Sequence, residues 1–193
     1  MTKKGFKIAS VLFSVCFLAA MINPAQAATI VKSEDFSDNP VVLNSDLPTL
    51  VISFGKEVNN GFIEANIKAI QPQFSFWFGL EQPPFYSDIA FVDYGVEIIS
   101  DNWRGSPQND FFYNTTPITS ETWVKIIYSW SYDLNTRHGQ QCLEVPNNPV
   151  YCSNTDFPIP FDNVAIGNPA EEDLLIKNYA VYSNTDTIIS NTD

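Results

Sequence analysis

Between Gly61 and Ala69 the chain alternates one residue at a time. Ile63, Ala65, Ile67 and Ala69 fall on one side, with Glu64, Asn66 and Lys68 on the other. A period of two puts successive side chains on opposite faces, so this stretch predicts a strand with one buried face. Pro72 ends it, and "FSFWFGLE" repeats the pattern: Phe74, Phe76, Phe78 and Leu80 inside, Ser75, Trp77, Gly79 and Glu81 outside. In "WVKIIYSWSYDL", Val124, Ile126, Tyr128, Trp130 and Tyr132 alternate with Lys125, Ile127, Ser129 and Ser131. "VDYGVEIISD" reads as one strand, "NWRGSPQND" as a polar loop and "FFYN" as a short strand, while "NVAIG" and "LLIKNYAVY" close the pattern. Pro, Gly, Asn and Asp cut between these runs, and no helical period intervenes. Many short strands without a βαβ rhythm predict an all-β chain, an antiparallel β-sandwich or jelly roll.

The first 27 residues follow a different pattern. Lys3, Lys4 and Lys7 precede an apolar run from Ile8 to Met21, and Ala25-Gln26-Ala27 supplies small residues where a signal peptidase cuts. The run falls short of the roughly 20 residues that span a bilayer. Residues 1–27 are therefore expected to be a cleaved signal peptide, carrying Cys16 away with them. The product would be secreted or periplasmic rather than an integral membrane protein. Residues 28–185 are expected to form a single domain and 186–193 a flexible tail.

Charge narrows the partners. The chain of 193 residues carries 22 acidic and 10 basic side chains. Three of the basic ones lie in the leader, so seven face 22 in the product, a net charge near −15. Such a surface repels phosphate backbones, which argues against nucleic acid. The two remaining cysteines, in "CLEVPNNPVYC", flank a Pro146-Asn147-Asn148-Pro149 turn signal. In an oxidising compartment they predict a Cys142–Cys152 disulfide across a hairpin. Zinc does not suit them, because His138 is the one histidine. No Gly-x-Ser-x-Gly elbow accompanies His138 and no phosphate-cradling glycine loop is present. "SNTD" occurs at Ser153, Ser183 and Ser190 with unequal spacing, so it is not a structural repeat. Asn114-Thr115-Thr116 fits a glycosylation acceptor.

"GFIEANIKA" followed by "FSFWFGLE" resembles the paired strands of the concanavalin A-like jelly-roll superfamily, and within it the glycoside hydrolases of family sixteen. Asn178-Tyr179-Ala180-Val181-Tyr182 is similar to their closing strand. "DNVAIGN" and "IKNYAVYSN" are as similar to the laminin G-like branch. The likeness runs over most of residues 33–183, in short motifs. In the hydrolases, Glu, Asp and Glu alternate along one strand. Here Glu97 and Asp101 keep the outer spacing, but Ile99 replaces the central Asp. Four residues of strand separate two backbones by roughly 13 Å, whereas a retaining pair needs carboxyls about 5–5.5 Å apart.

The resemblance thus implies a secreted, lectin-like carbohydrate-binding module without catalytic activity, its ligand a glycan or polysaccharide. Two alternatives stay open: a glycoside hydrolase acting on β-glucan or galactan through Glu97 and Asp101, and a laminin G-like adhesion module with a surface protein as partner. Sugars dock on exposed rings beside carboxylates, amides and arginine. That makes Trp77, Trp103 and Arg104, with Glu81, Glu97 and Asp101, the expected binding residues. No cofactor is expected, apart from a single structural calcium ion that the superfamily's habit raises. Asp35, Asp173 and Asn178 are its candidate ligands, and Asn178 stands where the hydrolases have a carboxylate.

Overall fold

The computed structural model describes residues 28–70, 75–82, 85–92, 95–100, 108–113, 116, 118–119, 121–133, 135–136, 138–155, 162–168 and 173–184. The expected leader and tail lie outside them. No helix occurs among the described residues. Thirteen strands do: β1 Thr29–Asp35, β2 Val41–Leu43, β3 Thr49–Ser53, β4 Asn60–Ala69, β5 Phe76–Gln82, β6 Phe85–Val92, β7 Gly95–Ser100, β8 Gln108–Tyr113, β9 Val124–Asp133, β10 His138–Glu144, β11 Tyr151–Thr155, β12 Asn163–Gly167 and β13 Leu174–Ser183.

They form two antiparallel sheets. Sheet A runs β1-β13-β4-β9-β10-β11, with β2 also paired to β13, and sheet B runs β3-β12-β5-β6-β7-β8. The alternation read from the sequence decides which face of each strand is buried. Ile63, Ala65 and Ile67 of β4 and Ile126 and Tyr128 of β9 are fully enclosed, as are Phe76, Phe78 and Leu80 of β5 opposite them. Aromatic rings pack both between the sheets and along sheet B. Phe78 stacks on Tyr128 with centroids 5.7 Å apart, and Phe76 stacks on Phe91 at 5.4 Å.

Tyr128 and Trp130 carry polar atoms into the interior, and each has a partner there. Tyr128 Oη donates to Gln141 Oε1 at 3.0 Å in a fully buried pair, and burial, together with the Asp88 charge, pushes the phenol well above its ordinary range. Trp130 Nε1 donates to the Val58 carbonyl at 2.8 Å while its ring stacks on Phe54, which fixes the segment entering β4 from beneath.

Cys142 and Cys152 are register partners on β10 and β11 and are joined by a disulfide. The turn between them places Asn147 at φ +63°, a left-handed conformation that asparagine tolerates, and the Asn148 N–H closes it on the Val145 carbonyl at 3.1 Å.

Two strand assignments differ from the sequence expectation. "VDYGVEIISD" is not one strand: Val92 ends β6 and Gly95 begins β7, which pairs back on β6 as a hairpin. Asp93 and Gly95 are turn-forming types inside an otherwise β-like run, and here they outweigh it. Also, Gln108, Asn109 and Asp110 are not loop but the start of β8, paired with Ser100, Ile99 and Ile98. Ladder pairing at the sheet edge overrides their low β propensity.

Candidate functional site

With the inner faces of both sheets filled, any ligand must be held by an outer face or an end. The outer face of sheet B holds two of the residues expected to bind, Trp77 and Glu97. Trp77 of β5 lies opposite Gly167 of β12 on one side and Ala90 of β6 on the other. Ala90 in turn faces Glu97 of β7. Trp77 and Glu97 thus share one row with a single methyl side chain between them, about 10 Å apart at the backbone from two strand spacings.

The neighbouring glycines set the attitude of the indole. A Cβ built on Gly167 would overlap Trp77 Cε2, Nε1 and Cζ2, and one on Gly79 would lie 3.1 Å from Cζ3. The ring therefore lies flat across β12 and β5, resting on bare backbone, and the side chain stays half-buried. A ring held this way shields one face and offers the other. Asp88 of β6 leans onto Gly79, where a Cβ would overlap its Oδ1, so its carboxylate sits beside the indole. Asp88 is half-buried, and its charge is felt as far inside as Tyr128.

Of the sequence candidates, Trp77 and Glu97 come together on this face. Glu81 of β5 is the register partner of Tyr86 on β6. Asp101, Trp103 and Arg104 lie outside the described residues. Sequence reading missed Asp88 and the two glycines. The signal was present: an isolated glycine inside a strand pattern marks a close approach, and "FYSDIAFV" alternates Tyr86, Asp88 and Ala90 on one side.

The calcium candidates separate. Asp35 and Asn178 are register partners on the outer face of sheet A. Asn178 Oδ1 accepts Asn66 Nδ2 at 2.7 Å, and the Asp35 carboxylate accepts the Ser37 N–H at 2.9 Å and the Ser37 hydroxyl. Those Ser37 bonds hold Asp35 below the ordinary carboxylate range. Asp173 precedes β13, its carbonyl taking the Ile70 N–H at 3.3 Å. Five residues of strand, roughly 16 Å, keep it from Asn178. Among the described residues no three His, Cys, Asp or Glu side chains converge as a metal site would require. Nor is any helix there long and apolar enough to cross a membrane.

No protein-family model matches the chain, and no curated protein matches its sequence. Solved structures do match its shape. The binding domain of Paraclostridial Mosquitocidal Protein 1 superposes with a TM-score of 0.52 at 11% identity, over 82% of this chain and 43% of that one. The carbohydrate-binding module CBM66 from Bacillus subtilis superposes with 0.51 at 10% identity, over 83% and 98%. The galectin LEC-6 of Caenorhabditis elegans matches with 0.49 at 14% identity, over 72% and 93%. The chain is an all-β antiparallel sandwich, the fold that the two structures superposing above 0.5 support. At these identities the likeness defines the fold.

Proposed function

We propose that the protein is an exported glycan-binding module that stacks a sugar ring on Trp77, with Asp88 and Glu97 accepting hydrogen bonds from its hydroxyls. The observation that carries this reading is the glycine bed. Gly167 and Gly79 let the indole lie flat on the sheet, an arrangement that core packing does not require and that presents a planar apolar surface beside carboxylates. The similarity to a module named for carbohydrate binding supports it. The disulfide and the leader-like residues 1–27 support export.

Binding without hydrolysis fits the carboxylates better. Glu97 and Asp88 stand diagonally across β7 and β6, at backbone distances of about 7–8 Å. Asp88 leans toward β5, onto Gly79, which carries its carboxylate away from β7, whereas a retaining pair needs its carboxyls about 5–5.5 Å apart.

Soluble β-glucans, galactans and fructans, each assayed for binding and for released reducing ends, test the proposal. At least one should bind without being cut, and Trp77→Ala should weaken it about tenfold or more, the worth of one stacked ring. Reducing ends lost on Glu97→Gln would replace it with the hydrolase reading. Pull-down of a protein partner with no glycan signal would replace it with the adhesion reading.

A further inference from the structure

The opposite sheet carries a cleft that the Trp77 reading does not use. It has a volume of about 560 Å³ and lies at one end of the outer face of sheet A. That size is within the roughly 300–1,000 Å³ of small-ligand sites. Its floor follows from register. Asn60, Ser131 and Gln140 are consecutive partners across β4, β9 and β10, all on the outward face. One step further along, Asp133 pairs with His138. Asn59, Asn60, Ser131, Asp133, His138 and Gln140 all line the cavity.

Its walls are held by bonds that a ligand need not supply. Asn60 Oδ1 takes the Tyr132 N–H at 3.2 Å, and the Asn60 carbonyl takes the Asn184 N–H at 2.9 Å. At the β9–β10 end, Asp133 Oδ1 accepts the N–H groups of Asn135 at 2.8 Å and Thr136 at 3.4 Å, and Thr136 Oγ1 accepts the His138 N–H at 3.4 Å. The Asn135 N–H, first among these, keeps Asp133 below the ordinary carboxylate range, so the group stays anionic. A cleft fixed in this way loses little entropy on binding.

The geometry points to a second ligand site here, for an uncharged, hydroxyl-rich molecule of about one or two sugar rings. The chemistry selects that class. Amide, hydroxyl, imidazole and carboxylate groups alternate across adjacent strands, giving the mixture of donors and acceptors that vicinal hydroxyls require. An anionic ligand would meet Asp133 in a chain of net charge −12. A hard cation needs six to eight oxygens at close range, and the Asp133 Oδ1 atom already serves two backbone donors. The site lies on sheet A and Trp77 on sheet B, so both can be filled at once. Two sites facing opposite ways would let one molecule bridge two glycan chains.

The test is an amide and side-chain NMR titration of the ¹⁵N-labelled protein with glucose, galactose, fructose and sucrose. Each is taken to about 10 mM, enough to fill most of a site whose Kd is about 1 mM. At least one sugar should shift resonances of Asn60, Ser131 and Gln140. The Ser131→Ala/Gln140→Ala double variant should remove those shifts; both side chains are exposed, so it should keep the wild-type melting temperature. No shift at the cleft with any of the four sugars, or shifts that survive the double variant, would overturn the inference. The Trp77 indole resonance reports the other face separately. Shifts confined to it would refute the cleft and leave the Trp77 reading standing.

Discussion

Replacing Gly167 with alanine isolates the arrangement on which the Trp77 platform depends. The residue is buried in β12, and its register partner is Trp77. A methyl group there would overlap three indole atoms. The indole is the outer end of a side chain on an open face, so it should swing away and leave the backbone in place. The cost is then the apolar contact it gives up. A tryptophan buries about 150–250 Å² when enclosed, so lifting one face off the sheet exposes roughly 100 Å². At about 25 cal/mol per Å² that is about 2.5 kcal/mol. Removing a glycine from a strand returns about 0.5–1 kcal/mol, which leaves a net loss of about 1.5–2 kcal/mol. With a urea slope of about 2 kcal/mol/M, the unfolding midpoint should fall by about 0.8–1 M.

The same displacement should reduce glycan affinity, because a ring lifted off the sheet no longer presents its fixed face. Urea unfolding and polysaccharide binding, measured on one preparation, therefore test a single geometry in two ways. Gly55→Ala is the control. Gly55 has φ +68°, and a methyl group added there would meet no atom within 4 Å, so its substitution strains the backbone by about 1–2 kcal/mol and touches no ring. It should lower the midpoint and leave binding alone. A Gly167→Ala protein with unchanged midpoint and unchanged affinity would refute the flat, pinned indole, and the binding reading would lose its main support.

Two further predictions concern the opposite sheet. Cys142 and Cys152 close a loop of sequence separation 10, for which the chain-entropy estimate gives about 2.7 kcal/mol. The Cys142→Ser/Cys152→Ser variant should melt lower by about 5–10 °C, and a shift under about 2 °C would mean that the Pro146–Pro149 turn already restricts the unfolded chain. The Asp133 carboxylate has its folded pKa depressed below the ordinary 3.8, so its contribution is present above that value and lost as pH falls through the depressed one. Asp133→Asn should therefore flatten the decline in urea midpoint below about pH 4; an acid profile identical to wild type would rule out that linkage.

How far the sequence could be read follows from what each element depends on. β4, β5, β9, β12 and β13 were legible because each buries one face, and a one-residue slip would turn every apolar side chain to water. β8 was not, since Gln108, Asn109 and Asp110 become strand through a ladder with β7 that no local preference announces. The β6–β7 hairpin failed for a related reason: Val92 to Ser100 is apolar enough to pass for one strand, and the turn types within it were outvoted. The site shows the same division. Trp77 stood out as a large ring on an outward position, and Glu97 as an acid on a strand. Their row-mates did not, because Gly167 is 90 residues away in sequence from Trp77 and becomes its partner only when β12 inserts between β3 and β5. Asp88 was hidden likewise, inside a strand that was not foreseen. A residue type can nominate a binding group, but the bare backbone that lets a ring lie flat is a property of two strands. It becomes visible only once the pairing is known.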